Sequence, residues 1–359
     1  MMKLIRYILL LCCVACFVSC SSDDSPSETA KVRVVFRLYA PTTTTESRAD
    51  NDPTDEGEDW ESAINMDRLY VVLYRKDGSS IGGLENVTLV STSDPNIYDV
   101  TGSILVDKLN LDKGRFEGQI MVYANMDRKG VSENAAFNES LVDQLTFQAN
   151  TGKHTIPMWG LKLLQNVSME AGKQTNIGTI NLLRAEAKIR VFLRSDMVEN
   201  YELTSVKLSQ MNGQGYCLPQ YENIKNLGDV QELEHDAFAH VLSNDESASS
   251  DDKLKDVDMT NKAIYVPEYE NKVSVTDKAS RPNAAVIKLT LKDKRDGKTQ
   301  DYTLPFVEYD ANGAPTKTAK DIVRNHYYQF EVYKNDDGML RVRLKVRKWY
   351  VVKHEEILM

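Results

Sequence analysis

Cysteine is almost confined to the first twenty residues of this chain: Cys12, Cys13, Cys16 and Cys20 lie there, and Cys217 is the fifth and last. A body with one thiol can form no internal disulfide, so its fold must be held by apolar burial and hydrogen bonding. Cys217, in Gly215-Tyr-Cys-Leu-Pro219 with no histidine near it in sequence, reads as a buried, inert thiol. Histidine is sparse too, at five in 359 residues. The nearest approach to a metal set is His235 and His240 with Glu234 and Asp236. That spacing puts the two imidazoles on neither one helical face nor one strand face, so these are read as surface residues. No Gly-rich phosphate loop, His-Glu-x-x-His, paired Cys-x-x-Cys or Gly-x-Ser-x-Gly occurs. The expectation is a protein that is not an enzyme, with no catalytic residue, metal or cofactor. Positive charge is in deficit, 44 Lys and Arg against 53 Asp and Glu for a net charge of -9, which argues against a nucleic-acid partner. Beyond residue 20 no apolar run approaches membrane-spanning length.

What is present begins at the start of the chain. Lys3 and Arg6 precede an apolar run over residues 7–18, which stops at Ser19-Cys20 and gives way to Ser21-Ser22-Asp23-Asp24. A charged beginning, an apolar stretch too short to remain as a membrane helix and a small residue at the break describe a secretory signal over residues 1–19. Phe17-Val18-Ser19-Cys20 resembles a bacterial lipobox, which implies acylation of Cys20 and attachment to the outer membrane through lipid. Phe17 departs from the leucine usual there and leaves Cys16 as an alternative acceptor.

Residues 31–40 alternate with period 2. Val32, Val34, Phe36, Leu38 and Ala40 fall on one face, while Arg33, Arg37 and Tyr39 fall on the other with Val35 the only aliphatic among them, a strand with one buried face. Residues 41–59 carry no apolar periodicity and read as an exposed loop. Short strand-like runs follow at 69–74, 118–123, 155–158, 187–193, 263–266, 285–291, 327–332 and 340–346, separated by turn clusters such as Asp310-Ala-Asn-Gly. One helix is expected within 133–147, a domain boundary near 178–183 and a surface loop over 244–255. Many strands and few helices mean an all-β protein of antiparallel sandwiches.

Five segments resemble the fimbrillins, the type V pilin subunits of Bacteroides-like anaerobes. They are Ile156-Pro157-Met158, Arg184-Ala-Glu-Ala187-Lys188, Ile264-Tyr265-Val266-Pro267-Glu268, Arg324-Asn325-His326-Tyr327-Tyr328 and Val346-Arg-Lys-Trp349. The resemblance implies two transthyretin-like antiparallel β-sandwich domains in tandem, over 49–180 and 181–359, and a lipidated linker with a removable first strand over 20–48. It also implies cleavage by a trypsin-like, arginine-specific protease between Arg48 and Ala49, Arg48 being the one basic residue between Arg37 and Arg68. Loss of Val32, Val34, Phe36 and Leu38 would open a groove for the C-terminal segment of a neighbouring subunit, here a donor strand carrying Val351, Ile357 and Leu358. A head-to-tail contact of this kind does not close on itself and builds a filament. The expected function is thus a surface fimbrial subunit mediating adhesion, its partners copies of itself or related subunits. The alternatives are a non-polymerising anchor or tip protein and a surface lipoprotein binding a glycan or protein.

Overall fold

The computed structural model describes residues 30–40, 58–94, 96–127, 134–227, 253–271, 284–335 and 339–349. Among them are twenty strands. The first nine are β1 (Lys31–Tyr39), β2 (Leu69–Tyr74), β3 (Ser80–Gly83), β4 (Glu85–Ser91), β5 (Ile97–Leu105), β6 (Arg115–Ala124), β7 (Thr146–Gln148), β8 (Met158–Ser168) and β9 (Gln174–Arg184). Then come β10 (Ala187–Leu193), β11 (Tyr201–Asn212), β12 (Gln214–Tyr216), β13 (Lys253–Asp258), β14 (Ile264–Val266) and β15 (Val286–Asp293). The last are β16 (Thr299–Pro305), β17 (Val307–Tyr309), β18 (Pro315–Ala319), β19 (His326–Lys334) and β20 (Leu340–Lys348). Two short helices, α1 (Glu139–Gln144) and α2 (Tyr221–Ile224), complete the set, so the chain is all-β.

Strands β3-β2-β6-β8-β9-β1-β5-β4 form one eight-stranded sheet in that order. Its distant ends share one core: Phe36 and Val100 from β1 and β5 lie in the same buried cluster as Val71 and Ile120 from β2 and β6. A flat sheet could not bring those ends together, so this one folds over on itself. The fold falls at β8 and β9, which pair only from Met158 to Gly160 against Arg184 to Leu182. Gly160 is required there, because a Cβ would stand 2.7 Å from the Asn181 carbonyl oxygen. In the second half, sheets β14-β10-β19-β20 and β13-β11-β15-β16 face each other across a core holding Ile189, Val206, Ile287 and Phe330.

The expectation of purely antiparallel sheets is corrected by two parallel pairs, β1 with β9 and β10 with β19. Parallel neighbours need long connections, and each of these pairs is separated by most of its own half of the chain. The strand expected to start at 155 starts at Met158; Pro157, which has no N–H to donate, precedes it and accepts from the Ala185 amide at 2.9 Å. The short helix expected within 133–147 is α1, whose N-terminus is capped by Asn138 accepting from the Leu141 amide. Residues 253–255 of the expected surface loop belong to β13, and β9 runs without a break through 178–183.

Candidate assembly strand and the junction behind it

Strand β1 is interior to its sheet. It pairs antiparallel with β5 from Lys31–Leu105 to Tyr39–Ile97, and parallel with β9 on its other side. Its alternation does what the sequence requires: Val32, Val34 and Leu38 are wholly buried and Phe36 is 3% exposed. At about 1.5–3 kcal/mol per large apolar side chain, these four contribute on the order of 6–12 kcal/mol of transfer free energy. Apart from Val35 the opposite face is polar or amphipathic, with Lys31 paired to Glu85 at 2.8 Å and Arg37 to Asp99 at 3.2 Å. Withdrawing β1 would therefore uncover an apolar trough walled by the unpaired edges of β5 and β9.

Behind this sheet the two halves meet at a buried polar junction. Glu61 sits in a short 3-10 turn (Asp59–Ser62) and is fully buried. Its Oε1 lies 2.7 Å from Lys188 Nζ and also accepts from the Tyr265 hydroxyl. Arg184 donates through Nε to the Glu61 carbonyl at 2.9 Å and through its terminal nitrogen to Ser62 Oγ at 2.9 Å. The Arg184 guanidinium lies 4.0 Å from the Trp349 ring centroid, and Tyr265 stacks on that same indole. Burial lowers the Arg184 pKa to about 9, against the opposing pull of Glu61 and Tyr265.

A second pair adjoins the first. His154 Nδ1 donates to the Gly152 carbonyl at 2.7 Å, and Nε2 meets Glu186 Oε2 at 2.9 Å. Burial opposes a charge on His154, yet the hydrogen bond and charge of Glu186 outweigh it and hold the imidazole pKa above 6.5. On the far side, Arg324 contacts Glu268 at 2.7 Å and donates to the carbonyls of Cys217 and Tyr216, each at 3.0 Å. Burial pushes the Cys217 thiol up to about 12, as befits an inert core group.

Arg184, Lys188, Tyr265, Glu268, Arg324 and Trp349, taken from four separate sequence motifs, thus converge on one place. Glu186, inside the Arg184–Lys188 segment, belongs to it as well, and Trp60, Glu61 and His154, which were not singled out in the sequence, complete it. The one available signal was Trp60, a large aromatic within an acidic run. Cys20, Arg48, Ala49, His235, His240, Val351, Ile357 and Leu358 lie outside the described residues. Among the described residues no group of three or more His, Cys, Asp and Glu is arranged to hold a metal ion.

A profile of the family described as fimbrillin-A associated anchor proteins Mfa1 and Mfa2 matches residues 22–355. The chain belongs to this family. Membership associates the protein with bacterial fimbriae at the cell surface. Among solved structures the chain resembles a candidate cell adhesion protein from Parabacteroides distasonis, at 14% identity over 91% of this chain and 99% of that one, TM-score 0.49. It also resembles a fimbrilin from Porphyromonas gingivalis, at 15% identity over 90% and 99% of the two chains, TM-score 0.47. A third is a candidate cell adhesion protein from Bacteroides eggerthii, at 13% identity over 89% and 96%, TM-score 0.44. No curated protein matches the chain at a significant level.

Proposed function

We propose that the protein is a subunit of a bacterial surface fimbrium that joins its neighbours by strand exchange at the position of β1. In this reading it is exported as a lipoprotein through Cys20 and consists of two transthyretin-like sandwiches in tandem, over 49–180 and 181–359. An arginine-specific protease cuts between Arg48 and Ala49, and the segment carrying Val351, Ile357 and Leu358 of a neighbour takes the vacated place. The observation that carries the proposal is the position of β1: a nine-residue strand buried on its apolar face and paired on both edges, joined to the strands that follow it through the polar stretch 41–57. An interior strand that is also the first among the described residues can leave without unthreading any other described element. A second reading, an anchor that keeps β1 and its lipid, is favoured by the family's description as anchor proteins.

N-terminal sequencing of protein recovered from surface fibres tests both readings. A start at Ala49 supports strand exchange, while Arg48→Ala should leave a longer, lipidated, monomeric form. Fibres that retain residues 31–40 would refute strand removal and leave the anchor reading. Deletion of residues 350–359 should spare the folded monomer, because β20 ends at Lys348, and should abolish fibres; polymerisation of the truncated chain would remove the tail as donor.

A further inference from the structure

Trp60 is a large aromatic set in an acidic run, and its ring is only half-buried. Three contacts hold it still. Its indole N–H donates to Glu58, Tyr265 meets it in a T-shaped contact with centroids 4.6 Å apart, and the His154 ring lies 6.0 Å off. The part of the ring left exposed lines a cleft of about 430 Å³, within the range of about 300–1,000 Å³ usual for small-ligand sites. Both halves of the chain wall it. Glu58, Trp60 and residues 151–153 come from the first, and Arg190, residues 261–263 and Tyr265 from the second.

Apart from Lys153, the charged groups of this cleft are engaged within the protein. Glu61 lies against Lys188, Lys262 stands 3.2 Å from Asp258, Glu58 holds the indole, and Arg190 has an interaction of its own. Among the described residues the side chains of Thr151, Lys153 and Asn261 meet no partner. A hydroxyl, an ammonium and an amide are therefore available around one fixed ring. Ala263 is the one aliphatic residue of the lining, so the cleft has no apolar pocket for the side chain of a peptide.

We propose that the cleft binds a neutral saccharide, one sugar ring resting on Trp60 and its hydroxyls bonded to Thr151, Lys153 and Asn261. A hydroxyl both donates and accepts, which suits a lining that offers donors and acceptors together. A charged ligand is less well served, because an anion meets Glu58 and a cation meets Lys153. A sugar held there touches both halves of the chain and stabilises them together.

The test is retention of the purified protein on immobilised galactomannan, dextran and xyloglucan, three neutral polysaccharides, with polygalacturonate, polylysine and gelatin beside them. At least one neutral polymer should retain the protein, and raised salt should change that retention less than about twofold. The same polymer in solution should raise the unfolding midpoint. Trp60→Ala should weaken retention about tenfold, while Tyr302→Ala, which trims a half-buried aromatic on β16, should change it less than about twofold. Should Trp60→Ala fail to fold, Asn261→Gly, at a φ of 56° that glycine adopts freely, should still weaken retention about threefold. Retention on none of the neutral polymers, its loss at raised salt, or an unfolding midpoint that the retained polymer leaves unmoved would each overturn the proposal. So would tighter retention on polygalacturonate, polylysine or gelatin, equal losses from Trp60→Ala and Tyr302→Ala, or no effect of Asn261→Gly.

Discussion

Glu61 brings a carboxylate into a site where water cannot reach it, and Lys188 and Tyr265 supply what water would have supplied. Removing one member of a buried pair strands the other. Glu61→Leu should therefore cost about 3–5 kcal/mol of stability, measured by denaturant unfolding. Glu61→Leu combined with Lys188→Met should recover most of that loss, since apolar groups of similar size need no partner; a double variant as unstable as the single would show that the ions contribute more than their mutual compensation. The His154–Glu186 pair gives the junction a pH dependence. The folded His154 pKa is raised above 6.5, so its contribution is fully present below that value and is lost as pH rises from 6.5 through the raised value. Unfolding midpoints measured across that window should fall in the unaltered protein and stay flatter in His154→Gln.

At the scale of single elements, β1 separates the two faces of a strand cleanly. Phe36→Ala should destabilise by about 3–5 kcal/mol, because it hollows the core under the sheet. Arg37→Ala should stay within about 0.5 kcal/mol, its partner Asp99 and itself both being more than half exposed. Comparable losses from the two would mean that β1 is not buried on one face. Strands with this clean period were legible in the sequence: β1, β2, β10, β15, β19 and β20 all fall where alternation or a compact apolar run placed them. Less regular strands were not. The first residues of β9, Gln174-Thr175-Asn176, are polar because they run beside β1 at the open end of the sheet. Strand β11 slips its phase at a bulge between Leu203 and Ser205, which breaks the pattern by which a strand is read. The junction was least legible, since periodicity reports which face is buried and says nothing of charges that meet from positions far apart in the chain.

Among the described residues the two halves are fastened in three ways. Strands β7 and β12 pair between them, the cluster of Tyr74, Tyr123 and Trp159 packs against Leu218, Ile224 and Val323, and the Glu61 junction lies alongside. Unfolding should accordingly appear as one calorimetric transition. Trp349→Ala removes the indole between Arg184 and Tyr265 at a cost of about 3–5 kcal/mol and should broaden that transition or split it in two. A single unchanged transition would mean that the other two fastenings suffice.

The double pairing of β1 also decides how the molecule carries tension. A pull along the axis of this strand strains its ladders to β5 and β9 together and in shear, so many hydrogen bonds must fail at once. Among the described residues strand β20 has a single ladder, to β19, and a pull on its end would open that ladder one bond at a time from the His326–Lys348 pair. The bolt against such peeling is Trp349, whose amide donates to the Asn325 carbonyl at 2.7 Å and whose ring is held by Arg184. The load a pulled molecule withstands is then set less by its long buried strand than by one indole at the end of an edge.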